Sequence, residues 1–426
     1  MFAATLKKAG RPKVYLATML AAAASAAAVP ARADVIAQWN AIAADTITPP
    51  PGVVYPAVTP EELRPIYSTD LATVHVAIFD AVNAITGGYE VFAVAPVSPT
   101  ARASAEAAAG AAACRVLQGL YPNRAAQYVT PCLPYQASSQ GSEATTRGIA
   151  VGIEVANGVL ALRANDGRST NVVYVNGSEP GDFRGVNPVN TFGPFVRPFT
   201  LTSAAQFRAD GPPALGSATY AADFNEVKRL GAAGSVVRTP EQEEIARFHT
   251  EPPPRFWPRN LRPLISDARS LVQNARLTAM VWVAQADVSV ACFESKYEYE
   301  FWRPQSAIPL AETDGNDATA DDDGWTPVVP TPNHPEYPAA HACAAGAAAE
   351  VLRSFFGTKK LDFTFTSTVT GTEHEFDSTD AMVNELQVAR IYGGMHFRTS
   401  TVHGKVLGTK VGKWVASRYF RPVANR

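Results

Sequence analysis

Apolar positions recur at the i, i+3, i+4, i+7 spacing in seven stretches: Leu71 to Ile85, Ala101 to Leu120, Thr145 to Ala164, Pro240 to Phe248, Asp267 to Phe293, Ala339 to Phe356 and Asp380 to Ile391. Such spacing lays an apolar stripe along a helix and predicts an all-α fold of helical bundles with long irregular loops. Alternation with period two is rare and short. The start signals agree, since Thr239-Pro240-Glu241-Gln242 sets a capping threonine before proline, with glutamine three residues on. The many alanines in these stretches imply helices that approach one another closely. From about Asn165 to Tyr220 the text changes to Gly, Pro, Asn and Thr with isolated aromatics, which predicts an extended loop region over the bundle. It separates an N-terminal half, 34–220, from a C-terminal half, 221–426. The most apolar segment, LTAMVWVAQADVSVACF, carries Asp287 in its middle and reads as a core helix rather than a membrane span.

The first 33 residues change the picture. Lys7, Lys8, Arg11 and Lys13 precede an apolar run that closes on Ala31-Arg32-Ala33, the pattern of a secretory signal peptide cleaved near Ala33. Export to the periplasm or the medium is therefore expected. Cleavage removes five of the 37 Lys+Arg and none of the 39 Asp+Glu, moving the net charge from -2 to -7. An acidic mature chain argues against nucleic-acid and anionic-lipid partners. Its 46% hydrophobic content argues against disorder. The four cysteines, Cys114, Cys132, Cys292 and Cys343, are too few for a disulfide scaffold and lack zinc-site pairing. Cys114 with Cys132 reads as a local bridge, Cys292 with Cys343 as a second one if the segments meet, and four free thiols as the alternative.

Three separated segments carry candidate chemistry. In KYEYEFWRP, six residues separate Lys296 from Arg303, and Pro304 follows; TPNHPEYPAAHA places His341 in the first turn of a helix; ARIYGGMHFRTS puts Arg390 six residues before His396. A tetrahedral oxyanion needs several charge-assisted hydrogen bonds to offset its desolvation. Lys296, Arg303 and Arg390 would supply them, the arginines as forks and the lysine as a point charge. The helix that begins near Ala339 would add the Ala340 N–H and its dipole. His396 and His341 are the candidates for the two remaining tasks, one bonding the central atom and the other moving a proton. Gly393-Gly394 would let the chain turn sharply just before His396.

The order and spacing resemble the vanadium haloperoxidases and type 2 phosphatidic-acid phosphatases, whose shared pattern is K-x6-RP, PSGH and SR-x5-H. HVAIFDAVNAI, around His75, also resembles the N-terminal helix of bacterial haloperoxidase-like members. The resemblance implies a four-helix-bundle core and vanadate, or phosphate in its place, bound through His396. It also implies cradling by Lys296, Arg303, Ala340 and Arg390, with His341 as the acid-base catalyst. The substrates it implies are hydrogen peroxide, a halide and a small organic acceptor, and the assembly a homodimer. Three positions depart from the pattern: Ala339 and Ala389 stand in place of serines, and Ala340 in place of glycine. Ser400 stands where phosphatases carry an aspartate that orients the last histidine. His334 falls where chloroperoxidases have phenylalanine and algal bromoperoxidases histidine, favouring bromide or iodide.

Two other readings share the motifs. One is an acid phosphatase working through a phosphohistidine at His396; the other is an oxyanion-binding homologue weakened at Ala339 and Ala340. His75, His249, His374 and His403 have no partners at ligand spacing and read as packing or surface residues, and Asp80, Asn83 and Asp287 as supports of the bundle.

Overall fold

The structure is a computed structural model that describes residues 34–50, 52–136 and 141–423; the expected signal peptide, 1–33, lies outside them. The N-terminal half contains α1 (Val35–Ile47), α2 (Pro60–Leu63), α3 (Tyr67–Thr86), α4 (Ala105–Leu120), α5 (Ala125–Cys132) and α6 (Glu143–Arg163). After a long coil come α7 (Ala218–Gly231), α8 (Pro240–Phe248), α9 (Pro253–Leu261), α10 (Leu271–Tyr299) and α11 (Pro304–Ala307). The last part holds α12 (Ala340–Phe356), a hairpin of β1 (Lys360–Thr366) and β2 (Glu373–Ser378), α13 (Thr379–Tyr392) and α14 (Arg398–Arg418). All seven periodic stretches are helices, so the fold is the helical one expected. The antiparallel hairpin pairs Phe363 with Phe376 and Phe365 with His374.

Helix starts are set by side chains that take up free backbone N–H groups. Ser104, Ser142, Ser217 and Ser378 each accept from the third residue of their helix, and Thr239-Gln242 and Ser270-Gln273 form reciprocal capping boxes. Helix pairs then close on small residues. A Cβ on Gly148 would lie 2.2 Å from the Ser104 carbonyl oxygen, and one on Gly152 2.3 Å from that of Ala108, so α6 meets α4 nearly backbone to backbone.

Residues Asp34–Arg426 form one compact unit, so the two expected halves are packed together. Helix α10 is the shared element, packed against α3 on one side and α12 on the other. It is long and apolar enough to cross a membrane, but 89% of its most apolar window is buried within the protein, as a core helix requires. Asp287 is fully buried there and accepts from the Phe199 and Thr200 N–H groups and the Thr200 hydroxyl, pinning the long loop to α10. Asp80 likewise accepts three N–H groups, from Phe92, Ala93 and Val94. Cys114 and Cys132 form the expected disulfide between α4 and α5. Cys292 and Cys343 also meet, as buried thiols with sulfurs 2.9 Å apart.

Candidate active site

The site is assembled at the end of the bundle where α10 finishes and α12 and α14 begin. Lys296 lies in the last turn of α10, Arg303 just beyond it, His341 second in α12, Arg390 near the end of α13, and His396 two residues before α14. Helix α12 starts at Ala340, and its N-cap, Ala339, makes no side-chain cap. The first-turn N–H groups are therefore left for another acceptor. Between Arg390 and His396 the chain turns through Gly394 at φ +76°, the left-handed conformation expected of the Gly-Gly pair.

Three cations converge there with almost no exposure. The Arg303 guanidinium donates through Nη1 to His396 Nε2 at 3.0 Å and to the Met395 carbonyl at 2.8 Å, and through Nε to the His334 carbonyl at 3.0 Å. Its Nη2 lies 3.0 Å from His334 Nδ1. Lys296 Nζ donates to the carbonyls of Pro335 and Glu336 at 2.8 and 3.0 Å. Arg390 donates through Nη1 to the His249 carbonyl at 2.8 Å, while its buried Nε has no partner.

Burial, with the neighbouring positive charges, pulls Lys296 down to about 8 and Arg390 to about 9; burial pulls Arg303 to about 10, against the pull of Glu336. His334, His341 and His396 are held well below the ordinary imidazole range, first by burial and then by these cations. Buried positive charge in this excess favours an anionic ligand.

The partner of His396 was not legible in the sequence. Glu336, fully buried, accepts from His396 Nδ1 at 2.8 Å and from the Phe397 N–H at 2.9 Å, while Ser400 Oγ stands 3.4 Å from the same nitrogen. The carboxylate thus takes the orienting place that Ser400 leaves weak, reaching it from 60 residues upstream. With Nδ1 donating to Glu336, the lone pair of His396 sits on Nε2, facing the arginine and the anion pocket. Burial raises Glu336 to about 7.

Ala340, His341 and Arg390 line a cavity of about 660 Å³, together with His334, Met395, Phe293 and the prolines 252–254. Lys296, Arg303 and His396 are not among its lining; Arg303 reaches it through His334 and Met395. His341 Nε2 makes one weak contact, 3.3 Å to the Glu251 carbonyl, and so remains available to a ligand. Trp302 and Phe397 are core, whereas Phe293 stands edge-on to His334 with centroids 5.3 Å apart.

Comparison with known proteins agrees with this geometry. Residues 276–425, which contain all the expected site residues, match the VCPO second helical-bundle domain. This C-terminal part of the chain is therefore similar to the helical-bundle domain of the vanadium haloperoxidases. Vanadium chloroperoxidase of Curvularia inaequalis is 29% identical over 200 residues, covering 38% of this chain and 32% of that protein. The chain thus spans about a third of that relative's length. Among solved structures, a bacterial vanadium-dependent iodoperoxidase superposes with TM-score 0.74 at 22% identity, over 92% of this chain and 98% of the other. A bacterial vanadium-dependent chloroperoxidase in apo form gives 0.68 at 15% identity, over 87% and 95%. At these identities the superpositions show a shared fold.

Vanadate fits the residues present: Lys296, Arg303 and Arg390 are buried cations, the Arg390 Nε has no partner among the described residues, and His396 Nε2 is held only by a hydrogen bond from Arg303.

Proposed function

We propose that the chain is an exported vanadate-dependent haloperoxidase that oxidises bromide or iodide with hydrogen peroxide and passes the oxidised halogen to a small organic acceptor. The observation that carries the reading is His396, tied through Nδ1 to Glu336 and meeting the buried Arg303 guanidinium with Nε2. When bound, vanadate supplies a Lewis acid that activates hydrogen peroxide toward halide. His396 would hold the metal; Lys296, Arg303, Arg390 and the Ala340 N–H would hold the oxygens; His341 would give and take a proton from the cavity side. The halide preference rests on His334, a polar ring on the cavity wall held by Arg303. Export is supported by the Cys114–Cys132 bridge, which suits an oxidising compartment. N-terminal sequencing of the exported protein should begin at Asp34.

One observation favours a second reading. Because Glu336 fixes His396 with its lone pair on Nε2, the imidazole is also oriented to attack phosphorus, as a phosphatase sharing these motifs requires. The deciding experiment is monochlorodimedone bromination with peroxide and bromide, before and after orthovanadate loading, run beside para-nitrophenyl phosphate hydrolysis. Vanadate-dependent bromination, abolished by His396→Ala, is expected. Phosphate release that vanadate suppresses, without bromination, would establish the phosphatase instead.

A further inference from the structure

Two histidines that the sequence left unpartnered meet on the far side of Arg390. His249, the C-cap of α8, places Nε2 2.9 Å from Glu385 Oε1, and His374 on β2 places Nδ1 2.7 Å from the same oxygen. The ligand atoms of these three residues all lie within 4.8 Å of one another. A second carboxylate stands behind: Glu244 Oε2 is 2.8 Å from His374 Nε2, and the other oxygen of Glu244 accepts from the Thr372 hydroxyl at 2.5 Å.

We propose that His249, His374 and Glu385 form a binding site for a divalent transition-metal ion of the zinc type, separate from the oxyanion site, with Glu244 as its supporting carboxylate. The ligand set, two imidazoles and one carboxylate, is one zinc accepts, leaving a position for water. Glu244 supplies an independent argument. By accepting the Nε2 proton it fixes the His374 tautomer with the Nδ1 lone pair toward Glu385, the carboxylate–histidine arrangement that accompanies metal-bound imidazoles.

Tetrahedral bonds of about 2.0–2.1 Å put ligand atoms about 3.3 Å apart, so Glu385 must retreat by about half an ångström and the imidazole nitrogens, now within 4.8 Å of each other, must settle at that spacing. Phe248 holds both rings, stacking on His374 at 3.8 Å and meeting His249 edge-on at 4.9 Å. His249 is buried while His374, Glu385 and Glu244 are partly exposed, which gives an ion a path from solvent. Such a site would clamp the end of α8, β2 and α13 together, and with them the His249 carbonyl that accepts from Arg390.

The test uses untagged protein purified without vanadate, equilibrated with zinc chloride, desalted, and assayed by elemental analysis. About one zinc per chain is expected in the wild type, with the visible d–d absorption of tetrahedral cobalt after replacement by cobalt(II). Glu385→Gln, nearly isosteric, and His374→Ala should retain none, with folding checked by circular dichroism. Glu244→Gln should keep the metal with an affinity about 10–100-fold lower. His396→Ala should retain zinc as the wild type does. A wild-type protein that leaves the desalting column without zinc overturns the proposal, as does undiminished zinc in Glu385→Gln or its loss in His396→Ala, which would place the ion at the oxyanion site.

Discussion

At the scale of single residues, the site is defined by charges that the fold buries without full compensation. Lys296 is drawn from 10.5 to about 8, so above pH 8 the folded, anion-free protein gives up this proton and the cradle loses a positive charge. An anion bound only by the folded state stabilises it in proportion to its affinity. The melting-temperature gain from phosphate or orthovanadate should therefore shrink as pH rises through about 8; Lys296→Met should show a smaller gain at every pH and little of that decline. Glu336 has the opposite sign. Its carboxyl is raised from 4.5 to about 7, so the folded state holds the proton more tightly, and the cost of burying the charge is complete only above pH 7. Glu336→Gln keeps an acceptor for His396 and removes that cost. It should melt no lower than the wild type at pH 8 while losing about 10–100-fold in turnover, and the rise of activity with pH toward 7 should flatten. A pH-rate profile beside thermal melts checks both.

At the scale of elements, what was legible followed from periodicity. All seven expected helices are present, and so is the capping box at Thr239, because each is a local signal. Helix α14 escaped notice because Gly404, Gly408 and Gly412 lower its propensity and interrupt its apolar stripe. The structure shows their use: a Cβ on Gly404, Gly408 or Gly412 would fall 2.7, 2.1 or 2.6 Å from the carbonyl oxygen of Ala339, the N-cap of α12, or of Cys343 or Ala347 within it. Helix α9 was hidden by its prolines, and the hairpin by the shortness of its strands. Within the site the cations and histidines were legible from spacing, whereas Glu336 was not, since its bond to His396 joins a loop residue to one 60 positions away. The glycine stripe makes a prediction of its own. On a solvent-facing helix Gly→Ala gains about 0.5–1 kcal/mol; at Gly408 the contact must open instead, for a cost of about 1–3 kcal/mol. Because α12 carries His341 and α14 follows His396, Gly408→Ala should lower the urea midpoint and reduce activity together, more than Gly324→Ala in the exposed loop.

At the scale of the whole molecule, stability and chemistry are divided between halves that share one helix. The Cys114–Cys132 bridge joins α4 and α5, which carry none of the site residues, whereas Cys292 and Cys343 line the cavity beside His341. Closing a loop of this length restricts the unfolded chain by about 3 kcal/mol. Whether that loss stays local depends on α10, which packs on α3 toward the N-terminal half and on α12 toward the site. Neither half can bury its apolar face of α10 alone, so opening one exposes core of the other and the two must unfold together. Calorimetry of the chain from Asp34 should show a single transition. In the Cys114→Ser/Cys132→Ser variant that whole transition should move down without splitting, while zinc content and turnover at 25 °C stay at wild-type values. Two separated peaks would show instead that 34–220 and 221–426 are independent folding units, and that the disulfide guards only the first.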